Sequence, residues 1–338
     1  MTTDLLDTLS EDERGLLRDA PPGTELASRP MLATLSDRRD FPDRDRWIFE
    51  RKLDGIRLLA VREGDRVSLL SRSGRRVNDT YPEIAEALAA QHSPDFTVDG
   101  EVVAFARGRT DFSRLQQRMG LTRRRDIEAS GVAVTYYVFD LLRLDGADTT
   151  RLPLRTRKSL LRRALAYRSP LRLTTHRNAG GAELLAEACA HGWEGLIAKR
   201  ADSRYTPRRS ADWLKLKCAQ EQEFVVGGFT EPAGSRVGLG ALLLGYHEGG
   251  RLRYAGKVGT GFDHRTLLAL RSRLDELGVL APPFDDRVRE ARARWASPEL
   301  VAQIAFTEWT RDGMLRHPRY LGLRDDKPAG EVVRERAA

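Results

Sequence analysis

Of the 57 lysine and arginine residues in this chain, only seven are lysines. One of these, Lys52, stands in Glu50-Arg51-Lys52-Leu53-Asp54-Gly55-Ile56-Arg57. Arginine stays protonated in proteins, whereas a lysine that is desolvated or crowded by cations can lose its proton and become a nucleophilic amine. Where arginine supplies positive charge almost by default, Lys52 is a candidate covalent catalyst. Lys215 and Lys217 alternate in Asp212-Trp213-Leu214-Lys215-Leu216-Lys217, so on a strand they share one face. Lys199 closes Trp193-Glu194-Gly195-Leu196-Ile197-Ala198-Lys199, while Lys158 falls in an ordinary basic helical pattern.

The elements that must position these residues read as follows. Leu5, Leu6, Leu9, Leu16 and Leu17 line one or two short helices broken by Pro21-Pro22-Gly23, a packing arm or a partly mobile tail. Strands follow at Trp47–Phe49, Ile56–Val61 and Arg66–Leu70, the last two joined by a turn at Glu63-Gly64-Asp65. Phe96–Phe105 and Val132–Leu142 are further strands, and Pro82 opens a helix. Helices are expected over Pro153–Leu165 and Ala182–His191, the second ended by Gly192. After Gln220 the chain turns glycine-dense with short apolar runs, as in a small antiparallel barrel, interrupted by a helix over His264–Leu277.

A length of 338 residues exceeds what one core usually serves, so two domains are expected. The net charge of +8 and pI near 9.7 favour a polyanionic partner, nucleic acid ahead of an anionic membrane surface. The longest strongly apolar stretch, Val132–Phe139, is too short to span a bilayer, and the N-terminus lacks the pattern of a secretion signal. Cys189 and Cys218 read as reduced thiols of a cytoplasmic protein rather than a disulfide framework.

Five segments ask for one explanation: Lys52-Leu53-Asp54-Gly55-Ile56-Arg57, Asp99-Gly100-Glu101-Val102-Val103, Tyr137-Val138-Phe139-Asp140-Leu141-Leu142, Glu194 through Lys199, and Trp213 through Lys217. Singly, each has an ordinary structural reading: an Asp-Gly turn, edge charges, a core ring at Phe139, a solvated strand face. In this order they resemble the covalent nucleotidyltransferase superfamily of ATP-dependent DNA ligases, RNA ligases and capping enzymes, from about Met31 to the C-terminus. Gly227-Gly228-Phe229-Thr230, the run Gly234–Leu242, Tyr254–Phe262 and Leu315–Lys327 narrow the resemblance to bacterial ligase D, the end-joining DNA ligase, as a stand-alone ligase module.

The resemblance implies an α+β fold, with an ATP-grasp-like adenylation (nucleotidyltransferase) domain over 31–220 and an OB-fold β-barrel domain over 221–338. Residues 1–30 form an N-terminal extension. It also implies ATP as substrate, Mg²⁺ or Mn²⁺ as metal, nicked or broken double-stranded DNA as partner and a Ku-type end-binding protein beside it. Lys52 would take AMP from ATP as a phosphoramidate, its amine deprotonated by neighbouring cations and burial. Lys215 and Lys217 would contact the α-phosphate, and Glu101 and Glu194 the ribose and metal. Arg57 and Arg72 would bind the nucleotide and the nick 5′-phosphate, and Phe139 would stack on adenine. Glu50 would lie at the rim of the base pocket, and Arg316 with Arg319 would orient pyrophosphate. A hinge is expected at Gln220–Glu223, so that the barrel can reorient between steps. RNA ligation or capping, or a binding protein of the same fold without catalysis, are the alternatives.

Overall fold

The computed structural model describes residues 5–41, 46–218 and 220–335. The chain divides into a first unit ending at Cys218 and a second unit, Ala219–Arg336. Among the described residues no helix is long and apolar enough to cross a membrane.

The first unit stacks two sheets with helices on the outside. Strands Ile56–Glu63, Arg66–Ser71, Asp95–Ala106 and Val134–Leu144 pair antiparallel at the centre of one sheet. Their alternation sorts the side chains as period 2 requires. Leu58, Ala60, Val98 and Val102 enter a core covered by Ile84 and Leu88 of helix Pro82–Ala89 and by Leu160 and Leu161 of helix Leu154–Ala164. Leu59 and Val61 face the other way, into a cluster with Trp213 of the second sheet. Two bulges in Val134–Leu144 leave Phe139 and Leu142 without a partner on Asp95–Ala106. Each extra residue turns its side chain into that inter-sheet cluster.

The second sheet orders His176–Arg177, Trp47–Arg51, Gly195–Arg200, Arg209–Lys217 and Leu32–Leu35. Trp47, Phe49, Leu196, Ala198, Leu214 and Leu216 bury its outer face under Leu185 and Ala188 of helix Gly181–Ala190. The intervening residues of these strands, among them Glu50, Lys199, Trp213 and Lys215, therefore point towards the first sheet. The chemistry-bearing side chains lie between two rigid layers.

Residues 5–30 pack as an arm on this unit. Ser10 and Glu13 form a reciprocal cap on helix Glu11–Leu16. Leu9 is buried in the helix-covered core with Leu5, Leu6, Leu16 and Leu17 against it. Ala27 and Met31 end in the inter-sheet cluster.

The second unit has its own core, built by strands Gln220–Thr230, Leu242–Glu248, Arg251–Val258, Val301–Phe306 and Arg319–Leu323. Helix His264–Glu276 starts at Asp263, whose carboxylate accepts the Thr266 amide. Gln220–Thr230 is the long member that serves two neighbours, pairing with Val301–Phe306 in its first half and Leu242–Glu248 in its second. It bends at a bulge at Gly227-Gly228, where a Cβ on Gly228 would strike the Arg294 carbonyl. The hinge expected at Gln220–Glu223 is not a free segment. These residues are laddered to Gln303–Phe306, and Glu223 is ion-paired with Lys327 at 2.9 Å. Each ladder bond would have to break before they could flex.

Candidate active site

Strand Trp47–Arg51 ends where Lys52 leaves the sheet, and the Lys52 amide donates to the Gly195 carbonyl at 2.9 Å. Lys217 lies in register with Gly195, and Lys215 with Ile197. Gly195 has φ of 144°, and a Cβ there would collide with the Leu216 carbonyl oxygen. Only glycine lets the two strands close at this point, bringing Lys52, Glu194 and Lys217 to one end of the sheet.

The Lys52 ammonium forms an ion pair with Glu194, the two side chains only 18% and 9% exposed. Burial pushes the amine down, but the Glu194 carboxylate, with Glu101 and Asp54 behind it, pushes harder, and Lys52 ends above the ordinary lysine range. This corrects the expectation from sequence. Carboxylates, not cations, crowd Lys52, so it waits as an ammonium with a proton acceptor in contact.

Arg57 is held rather than free. Its guanidinium grips Asp99 with two hydrogen bonds of 2.5 Å and donates to the Met31 carbonyl at 3.1 Å. Tyr205 donates to the same carboxylate at 2.6 Å. Burial lowers the Arg57 pKa and Asp99 more than restores it, leaving it above the ordinary arginine value. Arg57 also lies over the Phe139 ring, 4.8 Å from its centroid. Phe139 is only 9% exposed and meets Trp213 edge-on, its centroid 6.0 Å away.

A cavity of about 450 Å³ opens beside Lys52, lined by Arg51 and Leu53 on either side of it in the chain and by Tyr137, Thr174, His176 and Trp193 among others. Arg51 stacks on Trp193 at 4.4 Å, so the residues preceding Lys52 and Glu194 are clamped together. The ring that lines this cavity is Tyr137, not Phe139.

Glu50 differs most from its expected place. It is 3% exposed, not at a rim, and its carboxylate is shared by Lys158 at 2.5 Å and Lys199 at 2.7 Å. Burial alone would raise its pKa, but the two ammonium groups outweigh it, and Glu50 titrates below the ordinary glutamate range. Lys199 is lowered by burial, restored in part by Glu50 and lowered again by Lys158. Its ammonium also sits 4.2 Å and 4.1 Å from the ring centroids of Phe139 and Trp213. Lys158 was hidden in an ordinary basic helical pattern. The signal that could have found it is the buried stripe Leu154, Arg157, Lys158, Leu161, spaced i, i+3, i+4, i+7.

Lys215 and Lys217 alternate as expected and share the inner face with Trp213, opposite Leu214 and Leu216. Glu101 lies opposite Arg57 across the strand pair and within electrostatic reach of Lys52. Arg72 lies just beyond strand Arg66–Ser71, in the turn closed by the Gly74 amide on the Ser71 carbonyl. Arg316 belongs to the second unit, on a two-residue strand with Glu308 as its ion-pair partner at 2.6 Å. The cysteines depart from expectation: Cys189 and Cys218 form a disulfide. Helix Gly181–Ala190 lies against the outer face of Arg209–Lys217 and brings together two thiols that sequence alone leaves 29 residues apart.

Residues 30–217 match the profile of the ATP dependent DNA ligase domain, and residues 235–327 that of the ATP dependent DNA ligase C-terminal region. The chain belongs to the ATP-dependent DNA ligase family. It is 40% identical over 319 residues to the multifunctional non-homologous end joining protein LigD of Pseudomonas aeruginosa, covering 91% of this chain and 37% of that protein. With the LigD of Mycobacterium tuberculosis the identity is 40% over 315 residues, covering 90% of this chain and 40% of the other. The chain thus spans well under half the length of these curated relatives. A solved structure described as mycobacterial DNA ligase D complexed with ATP and MES superposes with a TM-score of 0.64 at 38% identity, covering 91% of this chain and 98% of that one. The two units are accordingly the adenylation domain and the OB-like C-terminal domain of an ATP-dependent DNA ligase.

Proposed function

We propose that this ligase seals 5′-phosphate/3′-hydroxyl nicks in duplex DNA through a lysyl-AMP intermediate on Lys52, and that it serves the repair of broken ends by non-homologous end joining. The observation that carries the catalytic reading is the Lys52–Glu194 ion pair, set beside a cavity lined by the residues flanking Lys52. The names of the LigD relatives support the end-joining role. Docking of DNA ends by a Ku-type protein and action in the bacterial cytosol belong to the same reading.

In the first step the ammonium proton passes to the Glu194 carboxylate as ATP enters. The Lys52 nitrogen attacks the α-phosphorus, the bond to the bridging oxygen breaks, and pyrophosphate leaves with the electron pair. The nick 5′-phosphate then attacks the same phosphorus and frees Lys52, and the 3′-hydroxyl displaces AMP to close the strand. Negative charge grows on the non-bridging oxygens, which Lys215 and Lys217 offset from the strand beside Glu194. Arg57, aimed by Asp99, binds the nucleotide, Arg72 the 5′-phosphate, and Arg316 pyrophosphate.

Among the described residues no group of three or more His, Cys, Asp or Glu is placed to hold a metal. A divalent cation here must draw most of its ligands from phosphate oxygens and water, as Mg²⁺ does with one or two carboxylates. Glu194 and Glu101 suit that role for Mg²⁺ or Mn²⁺, which would neutralise phosphate charge. For the base, Phe139 is the stacking ring in this reading. The lining of the cavity supports Tyr137 as a second candidate. Alanine at the true stacking position raises KM for ATP, and alanine at the other does not.

The decisive test incubates the purified ligase with ATP radiolabelled at the α-phosphate and Mg²⁺. The wild type gains a covalent AMP label and Lys52→Arg gains none; labelling of that variant removes Lys52 from its role. A preference for GTP would redirect the reading to capping.

A further inference from the structure

The disulfide lies within the first unit and ties down the residue at which that unit ends in the sequence. Cys218 is the last residue of the adenylation domain, one residue past Lys217, and its amide donates to the Glu194 carbonyl at 3.0 Å. Its partner Cys189 belongs to helix Gly181–Ala190 on the outer face of the same sheet, with a Cα separation of 5.2 Å, inside the range a disulfide needs. Cys189 is exposed and Cys218 half-buried, so small thiols and disulfides in solution reach the pair. Exposed disulfides are the ones that exchange readily, and those of reducing compartments are typically transient and redox-sensing. The segment between the cysteines carries Glu194, Lys199, Lys215 and Lys217.

We propose that Cys189 and Cys218 are a reversible redox modification site that takes glutathione-type disulfides and controls the exit of the chain from the adenylation domain. The exposed Cys189 thiolate attacks one sulfur of the small disulfide and releases one thiol. The Cys218 thiolate then attacks the Cys189 sulfur and releases the second, so two protein thiols and one disulfide become one protein disulfide and two small thiols. In the oxidised form the last residue before the boundary is riveted to a helix. In the reduced form the hydrogen bond from its amide to the Glu194 carbonyl, which the structure shows beside the disulfide, is the restraint left on it, and that single bond opens more readily. On the proposed reaction Lys52 lies in the first unit and Arg316 in the second, so turnover uses both. Restricting the residue between them slows it, as changes at hinge positions do.

The test equilibrates the full chain in mixtures of glutathione and glutathione disulfide, alkylates it with N-ethylmaleimide, weighs it intact, and assays the same samples for multiple-turnover sealing of a nicked duplex. The oxidised sample takes up no maleimide and seals several-fold more slowly. The reduced sample takes up two, and added reductant restores the rate. Cys189→Ser and Cys218→Ser seal at the reduced wild-type rate in every mixture. The proposal is overturned by two maleimides in every mixture, by glutathione retained on the protein in place of the bridge, by equal sealing rates of the two forms, or by serine variants that still respond. The mass readout does not depend on activity, so it fails or succeeds separately from the sealing arm.

Discussion

Replacing Glu50 by Gln keeps the shape of the side chain and removes the charge that two buried ammonium groups share. Lys158 and Lys199 are 5% and 2% exposed, and both contact this carboxylate. Breaking a buried pair by deleting one partner costs about 3–5 kcal/mol. An independent ceiling comes from letting one lysine deprotonate instead: from an unfolded pKa of about 10.4, neutralising it at pH 7 costs roughly 4.6 kcal/mol. The two estimates agree, so Glu50→Gln should lose about 3–5 kcal/mol at pH 7 in urea unfolding followed by tryptophan fluorescence. The pH dependence carries the sign. Burial and Lys158 depress Lys199, so its folded-state penalty is present at neutral pH and is relieved as pH rises towards the unfolded lysine value. The deficit of the variant should therefore shrink to about 1–2 kcal/mol by roughly pH 9.5. In the wild type, Glu50 is depressed, so its contribution is full above the unfolded glutamate pKa of about 4.3 and fades as pH falls through the folded value. A deficit under about 1 kcal/mol at pH 7, or one that does not change with pH, would refute the account of a carboxylate neutralising two buried cations.

Three further outcomes are expected. Glu194→Ala removes the group that accepts the Lys52 proton and should lower the rate of AMP labelling by about a hundredfold or more, measured in a single turnover. Gly195→Ala forces the strand pair apart at the Leu216 carbonyl and should cost about 1–3 kcal/mol in urea unfolding while also slowing labelling; unchanged stability would show that the strands give way freely. DNA affinity should fall linearly on a log–log plot against salt, as phosphate contacts by a chain of net charge +8 require, and a flat line would exclude a phosphate-dominated interface.

Much of the frame was legible because it is periodic. The alternation in Trp213–Lys217 puts Lys215 and Lys217 on one face, the apolar run Ile56–Val61 reads as a strand without telling its two buried faces apart, and the glycine-dense second unit announced itself by composition. The order of the motif segments gave Lys52, Glu194, Lys215 and Lys217 a common address. What stayed hidden is what depends on partners distant in sequence. Glu50 meets Lys158 across 108 positions, and Asp99 meets Tyr205 across 106. No local period encodes such meetings, so Glu50 read as a rim residue and Lys158 as an ordinary member of a basic helix. Bulges hide as well. The extra residues Phe139 and Leu142 turn a simple alternation into an irregular one, and Cys189 meets Cys218 only once a helix is laid on its sheet. The protonation of Lys52 was misread for the same reason, since its carboxylate neighbour Glu194 arrives from the residue just ahead of strand Gly195–Arg200.

On the proposed mechanism the contact between Lys52 and Glu194 works like a safety catch. A bare amine in a cleft would react with any small electrophile drifting past, acyl phosphates and cyanate included, and each such accident would kill the enzyme permanently. Tied up as a cation, this one stays chemically mute until a guest with enough charge of its own arrives to rearrange the pair.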